Sequence, residues 1–446
     1  MTSMFGHDVR SELLILYLAE TASVFLAVYA LAVLGVAQDT PVNTLDAGLV
    51  AMAVALCCGV VVGASGLYRP EVLSRARRLV AGGFVAALLL LILTWLGLQL
   101  LVPARDPFSW GMVGAVLLGC ALGVAVARLG CIAASRYGLL TRRLLILPNV
   151  PARLVGLREG EAGRDLLVPV NMPADLAAGE APSPDWLRAQ RIWAVVAESA
   201  AVTAAMRQQF QEAGVRILSP DELDECRLNR VAPERLPADW LATARGLRRS
   251  QLGQALHRAV DVVVALMILL VTFPVWAVTA VLVRLDSPGP VLYRQVRVGQ
   301  HGKHFTLYKF RSMVVDAEAG GAARWAMRND PRVTRLGRLM RLSRIDELPQ
   351  LINVLRGDMA IVGPRPERPS FVEQLGSVIP HYNDRALVKP GITGWAQVNY
   401  PYGASVEDAR MKLAYDLYYV CRRSLFLDLI IMVSTVRVVL FQDGAR

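Results

Sequence analysis

Through the first third of the chain, apolar residues run almost unbroken and polar residues gather in short intervals between the runs. Four such runs, roughly 12–36, 44–66, 80–102 and 109–134, each approach the ~20 residues that a helix needs to cross a bilayer. The first has no small-residue cleavage site after a short apolar core, so it reads as a span and not a removable signal. The pattern predicts four transmembrane helices within residues 1–136. Beyond residue 140 it changes to short apolar strands alternating with helical stretches. RRLLILPNVPARLVGL (Arg142–Leu157), RIWAVVAES (Arg191–Ser199) and VRILSPDEL read as strands, with AAVTAAMRQQFQEAGV as a helix between the last two. This alternation predicts a small parallel α/β domain over 140–228. A Pro-, Ala- and Arg-rich stretch, 229–250, reads as a linker to the remainder, 251–446.

Two further apolar segments read differently. Residues 261–283 are long enough to span, but Pro274 sits in the middle, where proline removes a helix hydrogen bond. Both flanks are basic, with Arg248, Arg249 and Arg258 before and Arg284, Arg294 and Arg297 after. A full crossing would put one basic flank on the wrong side. A helix over about 260–284 that enters and leaves the same leaflet removes the conflict. Asp261 would then lie at the membrane face, beside His257 and Arg258. The last segment, Ser424–Phe441, carries Asp428 and Arg437, which are costly inside a bilayer. It reads as a helix at the interface or against the domain.

Composition sharpens this picture. The chain is 54% hydrophobic with a net charge of +11, and its mean hydropathy is +0.41. An apolar, basic chain points to a membrane protein with anionic headgroups or substrates as partners. No zinc motif or basic stripe interleaved with aromatics supports nucleic acid. The six cysteines include no CxxC pair and give neither a disulfide framework nor a metal site. Loops rich in arginine (Arg69, Arg75, Arg77, Arg78, and then Arg136, Arg142, Arg143) alternate with loops nearly free of it. Both ends of the four-span bundle are therefore expected inside. Glu20 is the one acid well within a span.

The candidate chemistry lies in RIDELPQLINVLRGDMAIVGPRPERP, Arg344–Pro369. Leu348, Leu351, Ile352 and Leu355 form one helical stripe, Gly357 stops it, and Pro349 is tolerated only in a first turn. The helix is expected to begin at Asp346 or Glu347. Its dipole would then lower the carboxylate pKa, and its free N–H groups would face a phosphate. An oriented carboxylate can attack phosphorus, and its neighbour can hold Mg²⁺. Arginines recur at 335, 338, 341 and 344, Arg365 stands between two prolines, and Lys309 and Arg311 add cations. An acid pair amid guanidinium groups reads as a diphosphate site.

Residues 251–446 strongly resemble the bacterial polyprenyl-phosphate glycosyl-1-phosphate transferases, which initiate exopolysaccharide, capsule and O-antigen synthesis. The motifs that carry the resemblance are HRAVD, DSPGPVLYRQVRVG, LYKFRSM, NDPRVTRLGR, SRIDELPQLINVLRGDM, VGPRPERP and KPGITGWAQVNY. Four spans and a degenerate, Rossmann-like α/β domain ahead of them resemble the family's long form. The resemblance implies a mostly helical, monotopic catalytic domain on a re-entrant helix at the cytoplasmic face of the bacterial inner membrane. It implies that Asp346 attacks the β-phosphate of a UDP-sugar, releases UMP and passes the phosphosugar to undecaprenyl phosphate. Glu347 would complete the acid pair, with Mg²⁺ as the metal held by Asp346 and Glu347. Arg341 and Arg365 match phosphate-binding positions, and Thr393 and Gln397 belong to a loop near the active site.

There are departures. His257 stands where the family has lysine, and Phe273 where serine commonly precedes the proline. The middle domain has Pro148-Asn149-Val150 where a glycine-rich turn would bind a nucleotide, so it reads as structural or as a dimerisation element. Two other readings have less in the sequence behind them. A membrane-bound nucleotide-sugar epimerase or dehydratase would need GxGxxG and Tyr-x-x-x-Lys, and neither is present. A non-catalytic scaffold of a polysaccharide assembly complex would not need Asp346, Glu347 and Arg365.

Overall fold

The structure, a computed structural model, describes residues 2–4, 7–9, 11–34, 44–67, 83–93, 110–137, 142–147, 150, 167–170, 172–173, 180–236, 240–244, 246–247, 250–314, 330–401, 403 and 405–441. These fall into two compact units that divide at Leu228/Asn229.

The first unit opens with helices α1 (Ser11–Val33), α2 (Thr44–Ala64), α3 (Gly83–Leu93) and α4 (Trp110–Arg136). Three of them, over Leu14–Val33, Ala47–Ala64 and Val113–Ala134, are long and apolar enough to cross a membrane. The third predicted run appears as the 11-residue helix α3; its remainder, and the arginine-rich 68–78 loop, lie outside the described residues. α1 packs closely on α4 because Gly123 has no side chain: a Cβ there would sit 2.5 Å from the Val24 backbone. Glu20, 1% exposed, is paired at 2.8 Å with Arg128 Nε, so the intramembrane acid is neutralised within the bundle.

The α/β part of this unit is a parallel four-stranded sheet. Its strands are β1 (Arg142–Ile146), β2 (Leu167–Val170), β3 (Ile192–Val196) and β4 (Arg216–Leu218), in the spatial order β2-β1-β3-β4. Helices α5 (Pro184–Ala189), α6 (Ala204–Glu212) and α7 (Pro220–Leu228) connect and cover it. β2 escaped the sequence reading because it contains Pro169. It lies at the sheet edge, where a missing N–H is tolerated.

In the second unit, the expected linker is part of the domain. Trp240 is buried, Val231 N–H donates to the Ala414 carbonyl, and the Asn229 carbonyl accepts from Trp395 Nε1 at 2.8 Å. Proline- and arginine-rich composition resembles a linker, but these apolar anchors fill the core. Helix α8 (Gln251–Asp286) follows, 36 residues long with Pro274 inside it.

Next comes the antiparallel hairpin β5 (Leu292–Val298) and β6 (His304–Phe310). Then come α9 (Arg335–Ser343), α10 (Gln350–Arg356), β7 (Ala360–Val362) and α11 (Pro369–Gly376). The unit ends with β8 (Gly391–Thr393), parallel to β7, and helices α12 (Trp395–Asn399), α13 (Val406–Arg422) and α14 (Leu425–Phe441). Leu351, Val354, Met359, Leu417, Leu427 and Ile431 lie in its core.

Both ends of α8 dock on this one unit. Near its start, Arg258 donates to the Val354 and Leu355 carbonyls at the end of α10, and Asp261 accepts from Ile361 N–H at 2.8 Å. Asp261 and Arg258, neighbours at the start of the helix, are thus each held by backbone groups of the domain. Near its end, Val283 packs with Phe310 and Met340. Between them Leu270, Val271 and Phe273 are 78%, 77% and 65% exposed. α14 is folded against the domain, with Asp428 held by His257 Nδ1 (3.0 Å) and the Tyr419 hydroxyl (2.7 Å).

Candidate active site

α9 is an amphipathic helix capped by Thr334, whose side chain accepts from Gly337 N–H. It packs so tightly that a Cβ on Gly337 would lie 2.0 Å from the Ser312 carbonyl. The helix ends where Arg344 takes a left-handed conformation, φ 57°. The acid pair follows in a 3₁₀ turn, Ile345–Glu347, and α10 begins only at Gln350, after Pro349. The pair therefore precedes the helix and is not its first turn. The geometry differs from the expectation because Pro349 lacks an N–H and takes the capping position.

Asp346 and Glu347 are both buried, at 6% and 8% exposure, yet their surroundings differ. Glu347 Oε1 accepts from Lys309 Nζ at 2.9 Å and Arg365 Nη2 at 2.7 Å, with Arg344 Nη1 at 3.7 Å. Burial would push its carboxyl up, but Arg365, Lys309 and Arg344 together hold it well below the usual carboxylate range. Asp346 Oδ1 is buried with no hydrogen-bond partner. Burial raises its pKa; Lys309 opposes, the Glu347 charge adds to the rise, and Arg341 and Arg344 oppose. The expected lowering by a helix dipole is overturned, since burial outweighs it and the helix starts farther on. One carboxylate is thus anchored and ionised, and the other holds an oxygen in reserve.

Arg365 owes its position to its backbone. Four successive carbonyls are held: Pro364 by Gly391 N–H, Arg365 by Arg385, Pro366 by Arg297 and Glu367 by Val298 N–H, each at 3.0 Å. Arg385 is in turn paired with buried Asp416 at 2.7 Å, and burial pushes the Asp416 carboxyl up to about 6. The Glu347 charge raises the Arg365 pKa further. Lys309 is placed by Asn353, a residue the sequence reading passed over. Asn353 is fully buried, donates to the Thr306 carbonyl at 2.7 Å and accepts from Tyr308 N–H at 3.1 Å, tying α10 to β6. Its signal was a lone amide inside the apolar LINVL run.

The other sequence candidates do not converge on the acid pair through direct bonds. Arg341 Nε donates to Ser312 Oγ at 3.0 Å. Arg311 is buried and donates through Nη2 to the Val283 and Ser287 carbonyls, holding the end of α8, while its Nε and Nη1 have no hydrogen-bond partner. Thr393 Oγ1 is bonded to Thr435 Oγ1 at 2.6 Å, and Gln397 Nε2 donates to the Ile392 carbonyl at 3.2 Å. Both shape the β8–α12 loop that adjoins Arg365 through Gly363 and Gly391. Among the described residues, no group of three or more His, Cys, Asp or Glu forms a metal cage.

The family model described as bacterial sugar transferase matches residues 252–442, which contain this whole arrangement. The chain is 45% identical over 225 residues to a UDP-N-acetylgalactosamine-undecaprenyl-phosphate N-acetylgalactosaminephosphotransferase of Aeromonas hydrophila, covering 50% of this chain and 52% of that protein. It is 45% identical over 189 residues to a UDP-glucose:undecaprenyl-phosphate glucose-1-phosphate transferase of Escherichia coli, covering 42% and 40%. It is 42% identical over 190 residues to a protein of the same name from Caulobacter vibrioides, covering 42% of this chain and 71% of that shorter relative. The match spans about half or less of the first two relatives. The acid pair, the cations that anchor it and the proline-bracketed Arg365 all lie within the matched region, and the chain belongs to the bacterial sugar transferase family.

Proposed function

We propose that the protein transfers a sugar 1-phosphate from a UDP-sugar to undecaprenyl phosphate through a covalent intermediate on Asp346. The observation that carries this reading is the division within the acid pair. Glu347 Oε1 is held by Lys309 and Arg365, while Asp346 Oδ1 is buried and unpartnered. The Asp346 carboxylate attacks the β-phosphorus, the bond from that phosphorus to the bridging oxygen breaks, and UMP leaves with the electron pair. A phosphate oxygen of the lipid then attacks the same phosphorus, and the bond to Asp346 breaks, restoring the carboxylate. Arg365 and Lys309, fixed on Glu347, face the charge that builds on the phosphoryl oxygens without having to reorganise.

Mg²⁺ fits Asp346 better than Glu347, whose Oε1 is already taken by Lys309 and Arg365. A single carboxylate together with the donor's phosphate oxygens is a usual setting for this ion, which would neutralise diphosphate charge when bound.

The docking of both ends of α8 on one unit supports a re-entrant helix, with its exposed apolar middle in one leaflet and the domain at the cytoplasmic face of the inner membrane. The relatives' names supply the acceptor and the donor class. The test is UMP release by nanodisc-held protein given Mg²⁺, undecaprenyl phosphate and a panel of UDP-sugars. Release with one or more sugars, reduced at least ~10³-fold by Asp346→Asn, is the expected result. No release above that variant, with a known transferase active alongside, would overturn the proposal.

A further inference from the structure

Beside the acid pair the second unit holds a cavity of about 710 Å³ that the account above leaves unused. Its lining comes from the β5–β6 turn and from residues 364–390, and includes no residue of α8. The lining is therefore separate from the proposed membrane helix, as suits a water-soluble ligand. Its size is that of a small-molecule site.

The lining is mixed in chemistry. It includes Arg365, whose Nη2 is 2.7 Å from Glu347 Oε1, so an anion held there borders the acid pair. It also includes two carboxylates, Glu373 and Glu367, the latter 3.8 Å from Arg297 Nη1. These would repel a purely anionic ligand such as inorganic phosphate, but they suit the hydroxyls of a sugar diol, which donate to carboxylates. Val372 adds an apolar side chain, and Asn383 an exposed amide that makes no hydrogen bond among the described residues. Gly376 leaves that amide clear, since even a single Cβ there would lie 3.3 Å from both its oxygen and its nitrogen. A free amide offers one donor edge and one acceptor edge, the complement of an imide or amide edge on a planar base.

We infer that this cavity is the nucleoside subsite: Arg365 takes the phosphate end, Glu367 and Glu373 the ribose hydroxyls, and Asn383 the pyrimidine edge. The inference rests on the proposed UDP-sugar reaction and locates the donor's leaving half within it. The base would lie at Asn383, and the reacting phosphorus would lie at Asp346. The sugar would be left on the acid-pair side, so the cavity reads the nucleotide and not the hexose.

The test is the double variant Glu373→Ala/Asn383→Ala, both substitutions being at exposed positions whose side chains hold no other part of the fold. Two readouts are taken in nanodiscs: steady-state UMP release with the preferred UDP-sugar, and direct titration of UMP binding. The inference expects a KM for the UDP-sugar and a dissociation constant for UMP each raised about tenfold or more, the scale of one or two lost hydrogen bonds. The KM for undecaprenyl phosphate should stay within about twofold of wild type. An active double variant with unchanged KM for the donor and unchanged UMP affinity would overturn the nucleoside subsite and leave the phosphotransfer reading standing. If wild type released no UMP from any sugar, the phosphotransfer reading would fail, and UMP binding would still decide the cavity. Binding weakened in the double variant would support the subsite, whereas equal or absent binding would overturn it.

Discussion

Glu347 and Asp346 are neighbours in sequence with opposite electrostatic situations, and this difference makes a prediction about pH. An attacking Asp346 must be ionised, so activity falls on the acid side as its raised pKa is crossed. The limb should lie above the range of an ordinary aspartate, about 3.9. The negative charge of Glu347 contributes to that rise, and the same residue occupies Lys309. Glu347→Gln removes the first effect and releases the Lys309 cation, and both favour the charged form of Asp346. The acid limb of kcat/KM should therefore move to lower pH, while kcat falls about 10²-fold or more because Arg365 and Lys309 lose their anchor. A limb that stays in place or moves to higher pH would mean that another group titrates there. Asp346, Glu347, Lys309 and Arg365 were legible because local composition, two prolines and a short acid pair mark them. The carbonyl contacts of Arg311 were not legible, because a guanidinium is equally suited to phosphate and to carbonyls. Nothing local in YKFRSM says that the Val283 and Ser287 carbonyls lie within reach.

At the scale of elements, α8 carries the firmest expectation. Gln251 and Asp286 lie at its two ends, and both are exposed. In a chain freed of its native cysteines, Gln251→Cys and Asp286→Cys should react equally with a membrane-impermeant thiol reagent, and only after the cells are opened. Labelling of one end from outside intact cells would show a crossing helix. Pro274 and the basic flanks set this expectation, since both are local features with a known cost in a membrane. Some other elements were misread. β2 was missed on account of Pro169, which marks an edge strand as readily as a loop. The start of α10 was placed too early because Pro349 fits either side of a helix boundary. The 229–250 stretch was read as a linker because its apolar anchors, Val231 and Trp240, are spaced too far apart to form a periodic pattern.

At the scale of the molecule, the boundary expected at residue 228 coincides with the break between the two units, whereas the four-span part and the α/β part, expected as separate domains, fall in one unit, and the described third run is only an 11-residue helix. The contacts that assemble the second unit did not come through. His257 meets Asp428, and Arg385 joins Asp416 to the Arg365 carbonyl. Such pairs lie far apart in sequence and are chosen by the packing of several elements at once, so no single-segment pattern predicts them. Their effect is to hold the acid pair and its cations on the same unit as the apolar helix α8.

The proposed mechanism requires Asp346 to carry the sugar phosphate covalently between its two steps. The most direct measurement is to mix the nanodisc-held protein with its UDP-sugar and Mg²⁺ in the absence of lipid acceptor, quench, and analyse the peptide containing Asp346 by mass spectrometry. The account predicts a phosphohexose adduct on Asp346, an accompanying burst of about one UMP per active site, and discharge of the adduct when undecaprenyl phosphate is added. UMP formed only when the lipid is present, with no adduct at any time, would show direct transfer and contradict it.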